Sequence, residues 1–248
     1  MAEPKRLRII ACEILYREVC LCVANSRNVV DVHFMPKGLH DLEAADMVSR
    51  LQAEIDETDP DVYGAVLLGY ALCNNGVVGL TARECPVVIP RAHDCITLFF
   101  GSRRRYNEYF AECPGTYFKT SGWSERDFVT VPNTVMEKLG LKQTYAEYVE
   151  KYGQENAKYI MEQMGAWKQN YTTMAFIDMG IAGFLGHDEL AAREAAENGW
   201  EYRELKGDLR LIRDLVDGEW SEEAFLVLQP GESIVASNDD RIFAAKTP

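Results

Sequence analysis

The stretch "LRIIACEILYREVCLCVANSRNVVDVHFM", residues 7–35, holds a complete strand–helix–strand pattern. Residues 7–12 form an unbroken apolar run, too short for a core helix and too continuous for a strand with one wet face, so they read as a strand buried on both sides. Residues 13–25 place their apolar side chains at helical spacing, and residues 28–35 return to β-branched and aromatic residues. A strand, a helix and another strand in so short a span predict a parallel pair with a crossover helix, the repeating unit of α/β folds.

The same alternation continues outward. Residues 41–58 read as an amphipathic helix opened by Asp41, residues 62–70 as a strand, and the following glycine-containing loop as carrying a short helix. Residues 85–91 form another apolar strand, followed by a helix with Arg103, Arg104 and Arg105. Residues 124–170 are polar and helical, an insertion or linking layer. Strand signals resume at 172–180, 200–205 and 224–237, with helices at 187–198 and 208–217. The expected fold class is α/β: a Rossmann-like, mainly parallel sheet with helices on both faces. The pattern is compatible with two pseudo-repeated βα halves, residues 1–123 and 171–248, joined by the helical segment 124–170.

Composition narrows the function classes. A chain of 248 residues with 47% hydrophobic content can fill a real core, and a net charge of −13 is the wrong sign for neutralising phosphates. No nucleic-acid partner is expected; a small-molecule ligand or a protein partner is, with oligomerisation left open. No apolar run approaches the ~20 residues of a membrane span, and the first residues lack a signal-peptide pattern, so no membrane is expected and the chain is placed in the cytoplasm. Seven cysteines without a compact framework fit a reducing compartment better than a disulfide scaffold.

In a doubly wound sheet, ligands bind beyond the carboxyl ends of the strands. Three of those ends carry a thiol. Cys12 ends the first strand, Cys73 lies in the loop "ALCNNG" after the third, and "PRAHDC" after the fourth supplies His93, Asp94 and Cys95. Cysteine and histidine are the ligands of zinc, and cysteine those of iron–sulfur clusters. Cys12, Cys73, His93 and Cys95 are therefore the candidate metal set, with zinc the first choice and an iron–sulfur cluster the second. Asp94 is the candidate acceptor orienting His93, or a general base. Asn74, Asn75 and Gly76, in "GYALCNNGVVGL", and Arg103 are candidate anion or ligand contacts, although this loop reads more simply as a turn with left-handed residues. His33 and His40 could flank the site, and Cys20, Cys22, Cys85 and Cys113 read as structural. A metal-free alternative makes Cys95 a nucleophile, its thiolate favoured by a helix N-terminus and His93 its base.

Five segments, "IIACEILYREVC", "VDVHFMPKGLHD", "LLGYALCNNGVVGL", "VIPRAHDCITLFFGSRRRY" and "GTYFKTSGW", together resemble the domain of unknown function numbered 1638, most densely over residues 8–123. The resemblance implies an anaerobic setting beside corrinoid-dependent methyltransferases, hence a metal-binding protein of one-carbon metabolism. Whether it is itself an enzyme stays open. If it is, metal-dependent methyl transfer is favoured over hydrolysis. The alternative implied is a non-catalytic accessory protein that binds a corrinoid protein or cofactor. His93-x-Cys95 is also similar to the His-x-Cys element of zinc methyltransferases, though those are eight-stranded barrels with their third ligand later in the chain.

Overall fold

The protein is described by a computed structural model covering residues 3–73, 75–126, 145–237 and 239–247. Asn74, one of the candidate contacts, and most of the first half of the 124–170 segment lie outside the described residues.

The opening unit is built as the sequence reads: β1 (Arg6–Cys12), a 3-10 turn at Glu13–Leu15, α1 (Tyr16–Asn25) and β2 (Val29–Met35). A second 3-10 turn, Lys37–Asp41, leads to α2 (Ala44–Asp56), then β3 (Val66–Gly69) and β4 (Val87–Pro90). These four strands pair in parallel, and β8 (Phe225–Leu228) closes the edge antiparallel to β4, giving the order β2-β1-β3-β4-β8. Both faces are covered. Ile9 belongs to one core with Val19, Phe99, Ile212 and Leu215, while its neighbour Ile10 belongs to the other with Leu51, Ile55 and Leu68. That double burial is why β1, β3 and β4 are continuous apolar runs with no polar alternation.

The chain then builds a second parallel sheet, β5-β6-β7. After α3 (Cys95–Phe100) and α4 (Arg103–Glu112) come β5 (Thr116–Thr120) and α5 (Ser121–Glu125). Beyond the undescribed stretch lie α6 (Tyr145–Tyr152) and α7 (Gln154–Gly165), separated at Gly153 by a left-handed φ of 80°. Next are β6 (Thr173–Asp178), α8 (His187–Asn198), β7 (Glu201–Lys206) and α9 (Arg210–Asp217), and the hairpin of β9 (Ser233–Ala236) and β10 (Phe243–Lys246) follows β8. Helix α9 buries Leu211, Ile212, Leu215 and Val216 against α1, β3 and β4 and turns Arg210 and Arg213 outward.

The fold class is thus α/β with mainly parallel sheets, but strands change sheets where the sequence pattern shows no break. β5, before residue 123, pairs with β6, and β8, after residue 171, returns to β4. Three local expectations are corrected. Asp41 does not open α2: it ends the 3-10 turn, its carboxylate 3.0 Å from His40 Nε2, and Glu43 stands at the helix start without a side-chain cap. The loop after β3 forms turns where a short helix was expected, because Cys73 and Asn75 take left-handed φ values of 43° and 64° that no right-handed helix contains. β5 lacks an expected counterpart, although "TYFKT" has the β-branched and aromatic composition of a strand.

Candidate functional site

The order β2-β1-β3-β4 reverses direction between β1 and β3, and there the carboxyl ends of the strands open a crevice. The registers bring those ends level, with Ala11 opposite Gly69. A Cβ at Gly69 would stand 2.6 Å from that of Ala11, so glycine lets the two strands approach where the crevice begins.

Cys12, Cys73 and Cys95 all line one cavity of about 170 Å³ at this edge. Each arrives by a different route. Cys12 is the last residue of β1; Cys73 sits in the strained turn after β3, its N–H bonded to the His93 carbonyl at 3.2 Å; Cys95 is the first residue of α3. The third loop is braced by Asp94. One carboxylate oxygen accepts the Thr97 N–H at 3.1 Å and lies 3.3 Å from its hydroxyl, and the other accepts the Tyr106 hydroxyl at 2.8 Å. This is a helix cap that fixes the position of the next residue, Cys95.

Four more residues complete the wall: Lys37, His40, Tyr70 and Trp123. Trp123 arrives on α5, which lies so close to the 3-10 turn after β1 that a Cβ at Gly122 would run into the Ile14 carbonyl. Its indole N–H donates to the Cys95 sulfur. The Lys37 ammonium stands 5.1 Å from the centre of the Trp123 ring, and His40 meets that ring edge-on at 5.2 Å. Asp94 also lines the cavity, and the rest is apolar or glycine, with Ile14, Leu39, Met47, Gly69 and Ala71.

Burial dominates the electrostatics. It pushes the Cys12 thiol up to about 12 and the Cys73 thiol up to about 11, against small opposing effects from backbone N–H groups. Cys95 is pushed well above the ordinary thiol range, first by burial and then by the charges that Cys73, Asp94 and Cys12 would carry. At neutral pH roughly one such thiol in ten thousand, or fewer, is a thiolate. Among the described residues the Tyr70 hydroxyl, in a residue only 3% exposed, has no hydrogen-bond partner, and burial raises it too. Burial lowers the His40 imidazole, but the Asp41 carboxylate and the Lys37 carbonyl outweigh it and leave it raised. Its Nδ1 lies 2.5 Å from the Lys37 carbonyl and its Nε2 3.0 Å from Asp41, two acceptors that suit a doubly protonated ring.

The structure brings together three of the four residues read as metal ligands. His93 is not among them: its side chain is exposed and outside the cavity, and only its carbonyl, bonded to Cys73, serves the site. Asp94 is bonded to Thr97 and Tyr106 and makes no hydrogen bond to His93. The Gly76 N–H closes a turn on the Cys73 carbonyl, and Asn75 lines a separate shallow cavity beside α2. Arg103 lines another, of about 560 Å³, and hydrogen-bonds the Asp240 carbonyl. Among the described residues no three His, Cys, Asp or Glu side chains form a group that could hold a metal ion. Sequence reading passed over Tyr70, Lys37 and Trp123. Their signal was present in the quoted segments, where Tyr70 follows β3 directly and Trp123 ends "GTYFKTSGW".

The remaining thiols have local partners or surroundings: Cys22 in the core, Cys85 donating to the Tyr63 carbonyl at 3.2 Å, and Cys113 accepting from Arg203 at 3.0 Å. No curated protein and no solved structure matches the chain. The family model described as a protein of unknown function, DUF1638, matches residues 34–216, taking in Cys73, Cys95 and Trp123 and starting after Cys12. Matched over well more than half its length, the chain belongs to the DUF1638 family.

Proposed function

We propose that the cavity is a metal centre in which Cys12, Cys73 and Cys95 are the ligands. The observation that carries this reading is the convergence of three partly buried thiols, from three distant stretches of chain, on one cavity at the switch point of the sheet. As free groups these thiols are protonated and poor nucleophiles, which weighs against a metal-free Cys95 enzyme. A metal reverses that, because coordination displaces the thiol proton outright.

The donor set is soft and fits zinc or iron–sulfur chemistry. A single zinc draws its ligands to ~2.3 Å, hence thiolates to within about 4 Å of each other. The three thiols line a cavity of about 170 Å³, and metal and sulfide analysis decides between zinc, the first choice, and an iron–sulfur cluster. When bound, such a centre supplies a Lewis acid or an electron carrier. The chain's own residues would tune it: the Trp123 N–H lowers charge on the Cys95 sulfur, Lys37 offsets negative charge, and Asp94 holds the Cys95 loop. In the one-carbon setting implied by the resemblance, the centre would serve methyl transfer beside a corrinoid protein.

Anaerobic purification followed by metal and sulfide analysis and visible absorption tests the proposal. Stoichiometric metal is expected, with a charge-transfer band if the centre is a cluster, lost in Cys12→Ser and Cys95→Ser and kept in Cys20→Ser. Absence of metal, or metal retained in the first two variants, overturns it.

A further inference from the structure

We infer that the free edge of β2 is a self-association surface, where a second copy of this chain adds its own β2 antiparallel about a two-fold axis through Val32.

The backbone of β2 is used on one side only. In its parallel ladder with β1, Val29 stands opposite Arg6 and its N–H donates to the Lys5 carbonyl at 2.9 Å. Val29, Asp31, His33 and Met35 therefore turn their N–H and C=O groups to β1, and Val30, Val32 and Phe34 turn theirs away. Among the described residues nothing bonds those outward groups. Such a row is a template for another strand. The edges at β8 and β7 are closed or guarded: β8 packs against β10, and β7 carries Glu201, Arg203, Glu204 and Lys206 in six residues. β2 has no proline and pairs without a bulge. Its Asp31 is already neutralised by Arg6 at 2.9 Å and bonded to Tyr63 at 2.8 Å, and His33 Nδ1 lies 3.3 Å from Glu54.

The strand fits itself. Antiparallel partners bond through outward-facing residues that stand opposite one another, and those of β2 are symmetric about Val32. An axis there sets Val32 against the partner's Val32, and Val30 against the partner's Phe34. These side chains share the face under α1, where Val30 is core and Phe34 meets Tyr16 with ring centres 4.8 Å apart. Val32, 36% exposed, would lose its water to an apolar neighbour. On the other face each Asp31 carboxylate meets the partner's His33 imidazole, an acceptor against a donor, and both side chains are 42% exposed and within reach. An axis through Asp31 or His33 would instead set each against its own copy, like group on like. Charge thus selects Val32 as the centre, and the same patch serves both copies, as a two-fold dimer requires.

Sedimentation equilibrium of the full-length protein, from micromolar to millimolar concentration, tests this. A monomer–dimer equilibrium is expected, its dissociation constant raised at least tenfold by Val32→Lys, which brings two ammonium groups together at the axis. Val32→Pro removes an outward N–H that no internal bond uses; it is expected to act likewise, and decides the matter if Val32→Lys does not fold. Leu190→Lys, at an exposed apolar position on α8, is expected to leave the dimer intact. Hydrogen exchange read at single amides gives the register: the Val30 and Phe34 N–H groups are expected to exchange at least tenfold more slowly in the dimer than in Val32→Lys, and those of Asp31 and His33 equally in both. A monomer throughout, as from an edge kept for a strand of another protein, overturns the inference. So does a dimer that both Val32 variants leave intact, one that Leu190→Lys dissolves, or one in which Val30 and Phe34 exchange freely.

Discussion

Cys12, Cys73 and Cys95 show how far one side chain's behaviour depends on its surroundings. In water each would titrate near 9, but in the cavity burial holds Cys12 near 12 and Cys73 near 11. Because the folded values lie above the ordinary one, all three thiols keep their protons throughout the neutral range and give them up only to a stronger acid such as a metal. Metal uptake by the apo-protein at pH 7 is therefore expected to release close to three protons, and affinity to fall about a thousandfold for each unit of acidification. Proton release measured by calorimetry in buffers of different ionisation enthalpy checks this; uptake without proton release would mean the thiols are not the ligands. The sequence showed which residues carry sulfur and on which strand ends. It could not show that the loop turns Cys95 inward and His93 outward, since that depends on the Asp94 cap and its bond to Tyr106.

Helix α1 departs from its sequence pattern in an informative way. Its periodicity predicts a helix, yet it buries Glu18 at 1% exposure and leaves Leu21 at 38%. Among the described residues neither Glu18 carboxylate oxygen has a hydrogen-bond partner. Burial, reinforced by the Glu125 charge and opposed by Arg17, raises Glu18 from 4.5 to about 7. A carboxyl raised in the folded state is harmless below pH 4.5, where it is neutral both folded and unfolded; its cost builds as the pH rises from 4.5 to 7 and is complete above that. Glu18→Gln is expected to stabilise the protein by about 3 kcal/mol at pH 8 and by almost nothing at pH 4. Urea unfolding at the two pH values measures the difference; equal effects at both would refute the assignment. Arg17 is no substitute partner, for it is bound through three contacts of 2.6–3.0 Å to Glu125 on α5. That link holds the helix carrying Trp123 against α1, a long-range pairing invisible in either helix's sequence.

At the scale of the molecule, the cavity is where the strand ends of the first sheet meet the segment leading out of β5 in the second. A centre bound there ties β1, β3 and β4 together at their open ends, and it is absent from the unfolded chain, so its binding energy adds to stability. Metal at a thousandfold over its dissociation constant contributes ~4 kcal/mol, or about 10 °C in melting temperature for a chain of this size. Removal by an anaerobic chelator is expected to lower the Tm by about that much. No shift, with metal shown to have left, would mean the site does not bridge the loops. Among the described residues no helix is long and apolar enough to cross a membrane.

The sequence by itself determined the α/β alternation, the double burial of β1, β3 and β4, and the placing of three cysteines beyond strand ends. These follow from local apolar periodicity and from the rule that parallel strands share one carboxyl edge. Only the tertiary structure decided which of those edge residues face one another. The wall of the cavity is made by Tyr70, Lys37, His40 and Trp123, held by the left-handed turn at Cys73, the close approach of Gly122 to Ile14, and a second sheet whose strands are not contiguous in the chain. Direction of a side chain on a loop is set by contacts from distant elements, and a linear pattern carries no record of them.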